Sequence, residues 1–179
     1  MALEVIYYVA STLDGFIATR DGSVGWLSPF QAAREDHGAN ELQASVDALL
    51  LGSRTYEFAL GFGSWPSPET PSWVFTHRKL RILHPSISLT SQQPSELVEA
   101  LASRGMQRAW LMGGGTLATS FETAGLISKY VISVFPVLLG SGVPFLAPHV
   151  SRPEVLSLVA AKPFKSGVVQ LTYERASGA

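Results

Sequence analysis

Short apolar runs, each ended by glycine, proline or polar residues, alternate along the chain with stretches of helical period. Residues 3–10, short and rich in Val, Ile and Tyr, predict a buried first strand. Residues 46–51 (Val-Asp-Ala-Leu-Leu-Leu), 73–75, 87–89, 108–112 and 129–136 predict further strands. Helical patterning falls between them, over residues 29–45, from residue 53 onward, over 94–104 and over 117–124. The 94–104 segment has Pro94 in its first turn, Leu97, Val98 and Leu101 on one face, and Gly105 just beyond its end. Residues 11–18, 61–72 and 137–144 carry turn chemistry and are expected to be loops. Residues 154–160 and 168–174 alternate and are joined by a turn containing Pro163 and Gly167, which predicts a closing antiparallel hairpin. Strands alternating with helices imply right-handed crossovers and a mainly parallel sheet in an α/β fold.

The segment around which this pattern turns is Trp110-Leu111-Met112-Gly113-Gly114-Gly115-Thr116, a strand that runs through three glycines into a helix. Three consecutive glycines bring no side chain to a core, so they let something approach the backbone. A second strand–glycine–helix junction occurs at Gly52-Ser53-Arg54-Thr55, where Ser53 and Thr55 are candidate caps. Thr76-His77-Arg78-Lys79 closes another strand, and Asp14-Gly15-Phe16-Ile17-Ala18 follows the first. In a parallel sheet all four stretches lie at the carboxyl ends of strands, where ligands bind. Two helix N-termini and a cluster of cations there suit a ligand with several phosphates. Read without a ligand, the same stretches are tight βα turns and a solvated strand end.

Composition narrows the partners. The chain has 179 residues, 46% hydrophobic and 15% charged, with net charge −1 and no cysteine. One domain is expected, covering 1–179. Disulfides and a cysteine nucleophile are excluded. No run of Lys or Arg marks a nucleic-acid or membrane surface. The four histidines show no metal-ligand spacing, so no metal is assigned. Residues 1–10 lack the basic leader and long apolar core of a signal peptide, and a cytoplasmic location is expected. The low charged fraction allows for a subunit interface.

The motifs Ser11-x-x-Asp14-Gly15-Phe16-Ile17-Ala18, Leu50-Leu51-Gly52-Ser53-Arg54-Thr55-Tyr56-Glu57, Leu111-Met112-Gly113-Gly114-Gly115 and Pro136-Val137-Leu138-Leu139-Gly140-Ser141-Gly142 occur in that order. Together they resemble the dihydrofolate-reductase-like superfamily and, within it, the riboflavin-biosynthesis reductase domain. The resemblance implies a three-layer dihydrofolate-reductase-like fold with a central mixed, mainly parallel sheet. It further implies a homodimeric, NADPH-dependent reductase acting on a small heterocyclic or carbonyl substrate. By that resemblance Gly52, Ser53, Arg54 and Thr55 contact cofactor phosphates, Thr76, His77 and Arg78 meet the adenosine end, and Gly113, Gly114, Gly115 and Thr116 meet the pyrophosphate. Ile17 and Ala18 border the nicotinamide.

Several positions depart from the family pattern: Ser53 stands where many relatives have Arg, Phe16 stands where a basic residue is usual, and no acid follows Trp26. Phe16, Trp26 and Phe30 either cap the core or line a substrate pocket. Asp14, the one carboxylate expected at that mouth, either orients substrate and relays a proton or holds its own turn beside Gly15. A dinucleotide-binding protein without turnover is the alternative to the reductase.

Overall fold

The computed structural model describes residues 2–31, 35–61, 63–149 and 153–176. Its first half contains strands β1 (Glu4–Thr12) and β2 (Phe16–Ala18), a 3₁₀ turn (Gly25–Leu27), and helices α1 (Ser28–Gln31) and α2 (Ala39–Ser45). Strand β3 (Ala48–Gly52), helix α3 (Ser53–Leu60) and strands β4 (Ser72–Phe75) and β5 (Ile87–Thr90) follow. The second half holds α4 (Pro94–Ser103), β6 (Arg108–Gly113), α5 (Gly115–Thr123), β7 (Lys129–Phe135), β8 (Val143–Pro144), β9 (Leu156–Pro163) and β10 (Val169–Arg175).

Eight of the strands form one sheet in the order β5-β4-β3-β6-β1-β7-β10-β9. The six from β5 to β7 are parallel, and β10 and β9 close the sheet antiparallel. The central strands are covered on both sides, as their sequences require. Leu49, Leu50 and Leu51 of β3 are all fully buried, and a continuous apolar run is what a strand covered on both faces needs. Each such leucine contributes about 1.5–3 kcal/mol by leaving water.

On one face Tyr7, Leu50 and Leu111 pack with Leu97 and Leu101 of α4 and Phe121 of α5. On the other, Leu49, Leu51 and Trp110 pack with Tyr56 and Ala59 of α3. The result is the three-layer, mainly parallel arrangement that the sequence implies, with the closing hairpin at one edge. Helix α4 starts as its sequence directs: Pro94 occupies its first turn, and Gln93 and Glu96 form a reciprocal capping box.

Three segments differ from expectation. The helix expected over 29–45 is two helices, because His37 and Gly38 both take positive φ, 52° and 85°. The Tyr8 hydroxyl and the Gln170 side-chain amide donate to the His37 carbonyl, which fixes this break against the sheet. Residues 32–34 of that expected helix, and residue 62 of the expected 61–72 loop, lie outside the described residues. Residues 16–18, expected as loop, become β2 by pairing with β8. Helix α5 begins at Gly115 rather than Leu117, so the third glycine belongs to the helix. No helix among the described residues is long and apolar enough to cross a membrane.

Leu101 is fully buried between α4 and the sheet. Leu101→Ala is expected to lower unfolding free energy by about 2–5 kcal/mol, measured by urea denaturation.

Candidate functional site

The carboxyl ends of β1, β3, β4 and β6 lie along one edge of the sheet, and the four stretches singled out in the sequence follow them. β3 and β6 are neighbours whose register shifts so that Leu51 faces Gly113, which re-aims the end of β6. The Gly113–Gly114 peptide is cis, and Gly113 has φ of 90°, a conformation that side chains rarely adopt. A methyl group on Gly52 would lie 3.6 Å from both the Gly113 carbonyl oxygen and the Gly114 nitrogen. One on Gly114 would lie 3.7 Å from Thr55 Oγ1 and 3.8 Å from Ile17 Cδ1. Gly52, Gly113, Gly114, Thr55 and Ile17 therefore meet at one place.

Gly115 serves a different purpose. A methyl group there would lie 2.2 Å from the Pro144 carbonyl oxygen, so the approach it permits is by the chain's own backbone. Gly142 repeats the arrangement, with its methyl position 2.2 Å from the carbonyl oxygen of Ala18. The segment around β8 is thus laid across β2 and the start of α5. Further bonds hold it there: the Tyr7 hydroxyl donates to the Phe145 carbonyl, and the Ala147 amide donates to Thr119 Oγ1 at 2.7 Å. Burial pushes the Tyr7 phenol well above its ordinary value, so it remains a neutral donor.

Asp14 is taken up by the same segment. Its carboxylate accepts from the Thr12 hydroxyl at 2.6 Å, the Leu139 amide at 3.0 Å and the Gly140 amide at 2.7 Å. The Thr12 hydroxyl above all, then the Gly140 and Leu139 amides against an opposing desolvation, hold the carboxyl below its ordinary value of 3.8. An acid held ionised in this way is a poor proton donor at neutral pH. The geometry ties Asp14 to its turn and to the 139–140 loop.

Helices α3 and α5 have Gly52 and Gly114 at their N-caps and no side-chain cap, so Ser53 and Thr55 do not cap α3 as expected. Their first N–H groups and positive dipole ends face the carboxyl edge. Arg54 is exposed and has no ion pair among the described residues. Arg78 donates to Glu57 Oε2 at 2.8 Å across the gap between β4 and α3, and its amide donates to Thr76 Oγ1. His77 and Lys79 are exposed beside it. Thr116 lines a groove of about 500 Å³ between α4 and α5.

Trp26 and Phe30 stand edge-on to Phe135, the last residue of β7, at centroid distances of 5.4 and 5.1 Å. His37 reaches the same ring at 5.2 Å. Together they cap the end of β7. Phe16 is placed separately, on the small ribbon where it pairs with Pro144, and Ala18 is buried in that ribbon.

The family model described as the RibD C-terminal domain matches residues 4–169. The chain belongs to this family. Among curated proteins it is 30% identical over 177 residues to the uncharacterized YwjB of Bacillus subtilis, covering 98% of this chain and 100% of that one. It is 32% identical over 155 residues to the riboflavin biosynthesis protein RibD of Mycobacterium tuberculosis, covering 78% of this chain but only 44% of that longer protein. Among solved structures, a Shewanella sp. PV-4 protein with a provisional riboflavin-biosynthesis name superimposes with TM-score 0.87 at 27% identity, covering 99% and 100% of the two chains. RibD of Acinetobacter baumannii superimposes with TM-score 0.80 at 18% identity, over 98% of this chain and 59% of that one. These establish a reductase-like RibD C-terminal fold.

In this RibD-type domain the carboxyl edge brings together Ile17, Gly52, Thr55, Gly113 and Gly114, sets Arg54 and Arg78 outside them, and turns Gly115 inward. Sequence reading missed Tyr7, whose hydroxyl donates to the Phe145 carbonyl, and Thr12, whose hydroxyl donates to Asp14. Both sit inside an apolar strand, where the only signal is a hydroxyl in an otherwise buried run.

Gly115→Ala is expected to cost about 1–3 kcal/mol, since backbone must move to admit the methyl group. Asp14→Asn is expected to lower Tm at pH 7. Because the folded carboxyl is depressed, its contribution is complete above 3.8 and lost as pH falls through the lower folded value, so wild type and variant should converge in acid.

Proposed function

We propose that the chain is an NADPH-dependent reductase, transferring hydride to a small heterocyclic or carbonyl substrate. The observation that carries this reading is the meeting of Gly52 and the Gly113–Gly114 peptide beneath two uncapped helix N-termini, with Arg54 and Arg78 alongside. Side-chain-free backbone next to unpartnered N–H groups fits a diphosphate, and guanidinium groups fit a phosphomonoester. NADPH, when bound, supplies the hydride. The residues of this chain bind and orient it. The N–H groups after Gly52 and Gly114 would hold the pyrophosphate, Thr76 and Arg78 the 2′-phosphate, and Ile17 and Ala18 would border the nicotinamide. The 139–147 segment, fixed by Asp14 and Tyr7, would keep water from that end. Ser53, His77 and Thr116 extend the cofactor surface.

A structural neighbour from Thermotoga maritima, superimposing with TM-score 0.72 at 16% identity, is a deaminase and 5-amino-6-(5-phosphoribosylamino)uracil reductase. That reaction is the model for the chemistry proposed here, with Phe16, Trp26 and Phe30 bordering a more apolar substrate. Leu13 and Leu138, exposed at 65% and 71% and flanking the Asp14 turn, support an apolar rim. The second reading, a dinucleotide binder without turnover, is favoured by one observation: Asp14 is occupied by its own loop.

Titration with NADPH and NADH, followed by quenching of the four tryptophans, tests the cofactor assignment. NADPH is expected to bind more tightly, and Arg78→Ala to weaken it about tenfold while leaving NADH unchanged, as for loss of one charged hydrogen bond. Glu57→Gln, which frees Arg78, is expected to strengthen NADPH binding a few-fold at low salt. No binding of either nucleotide overturns the assignment. Substrate-dependent loss of nicotinamide absorbance separates the reductase from the passive binder.

A further inference from the structure

Residues 76–83, which leave β4 and carry cations of the carboxyl edge, have no regular secondary structure, so a few bonds decide where those cations stand. Four of the five residues from 77 to 81 are Arg, Lys or His. The near end of the segment is fixed by the sheet: the Thr76 amide donates to the Thr90 carbonyl at 2.8 Å, and Thr76 Oγ1 accepts from the Arg78 amide at 3.0 Å. The far end is fixed by a side chain of α3. The Tyr56 hydroxyl donates to the Arg81 carbonyl at 2.7 Å and accepts from the Leu83 amide at 3.3 Å, so it grips the backbone on both sides of Ile82. Its ring is fully buried, 5.8 Å from the ring of Trp65, and Leu80 of the segment packs against the same core. A phenol held in this way is a fixed anchor for the chain outside it.

We propose that Tyr56 is a positioning residue for cofactor selection, holding Arg78 at the separation from the α3 N-terminus that the 2′-phosphate of NADPH requires. The proposal rests on the cofactor reading above and adds a determinant to it. In NADPH the diphosphate and the 2′-phosphate are joined through one ribose, so the groups that bind them must stand at one spacing. Here both are referred to the same helix. The open N–H groups lie at the start of α3, and Tyr56 lies three positions beyond Ser53, about 4.5 Å along the axis. Beside it Glu57 holds the Arg78 guanidinium at 2.8 Å, an exposed contact that costs little to exchange for a phosphate. Glu57 thus holds the side chain, and Tyr56 places the backbone that carries it. Without the hydroxyl the segment is anchored at Thr76 alone in hydrogen-bond terms, Arg78 spreads over more positions, and the fraction poised for the phosphate falls. NADH lacks that phosphate and does not register the change. Being buried, Tyr56 acts on the cofactor only through the segment it holds.

Calorimetric titration of the full chain with NADPH and NADH tests the proposal, in the wild type, Tyr56→Phe, Arg78→Ala and the double variant. Tyr56→Phe, which keeps the buried ring, is expected to weaken NADPH about fivefold, as for loss of a backbone hydrogen bond, and to leave NADH unchanged. In the Arg78→Ala background the same change is expected to weaken NADPH no further, because Tyr56 acts through Arg78. If Tyr56→Phe does not give the wild-type circular dichroism spectrum, Ile82→Gly takes its place with the same expectations, since it loosens the segment at an exposed position between the two bonded residues. A preference for NADPH that the variant leaves unmoved overturns the proposal. So does equal weakening of both nucleotides, or a loss that adds in full to that of Arg78→Ala. A wild type that binds neither nucleotide, or both alike, overturns the cofactor reading itself, and that outcome is read before any variant is made.

Discussion

Backbone lying directly on backbone at Gly115 and Gly142 is the constraint from which the carboxyl edge takes its form. The Pro144 and Ala18 carbonyl oxygens lie 2.2 Å from where a β-carbon would be, so either contact must shift to admit a side chain. These two contacts draw the 142–147 segment across β2 and the first turn of α5, far from it in sequence. Everything else that fastens the segment is arranged around them. Tyr7 reaches up from the buried core to Phe145, Thr119 reaches out from α5 to Ala147, and Asp14 holds the preceding loop through two amides. A buried phenol, a hydroxyl and an ionised carboxylate each bond backbone groups of the segment.

Much of this fold is legible in the sequence because burial is strong and local. The leucines of β3 and the Leu97, Val98 and Leu101 stripe of α4 declare a covered strand and an amphipathic helix, and the structure buries both as their patterns require. The helix expected over 29–45 fails for the opposite reason. Its helical pattern is weak, and the break at His37 and Gly38 is fixed by hydrogen bonds from Tyr8 and Gln170, residues far away in the chain. The short strand β2 was hidden similarly, since three residues have no periodicity of their own and become a strand only through β8.

The site divides along the same line. Glycine marked its location, because a run of three at a strand end has no use in a core. The separate uses of Gly113, Gly114 and Gly115 depend on which atoms approach each one, and the atoms that fill the third belong to Pro144. Asp14 is readable in the sequence as a turn carboxylate, but its engagement with Leu139 and Gly140 is not, since those residues lie far along the chain. Arg78 is likewise readable as a cation, but its engagement with Glu57 is not, since the two meet only when β4 lies beside α3.

The contrast among the helix starts gives the carboxyl edge its chemical sense. Helix α4, which also follows a strand of the parallel sheet, satisfies its first donors internally through Gln93 and Glu96. The N-cap residues of α3 and α5 are glycines, which have no side chain to offer, and neither helix start has a side-chain cap. Glycine in place of a capping residue costs only about a few tenths of a kcal/mol, so a chain that caps one helix and leaves two neighbours open forgoes little stability at those two. The open pair are the two whose starts flank the meeting of Gly52 with Gly113 and Gly114, beside Arg54 and Arg78. Donors left unsatisfied together, next to cations, are recovered by an anionic ligand that spans both helices, and a dinucleotide is long enough to do so.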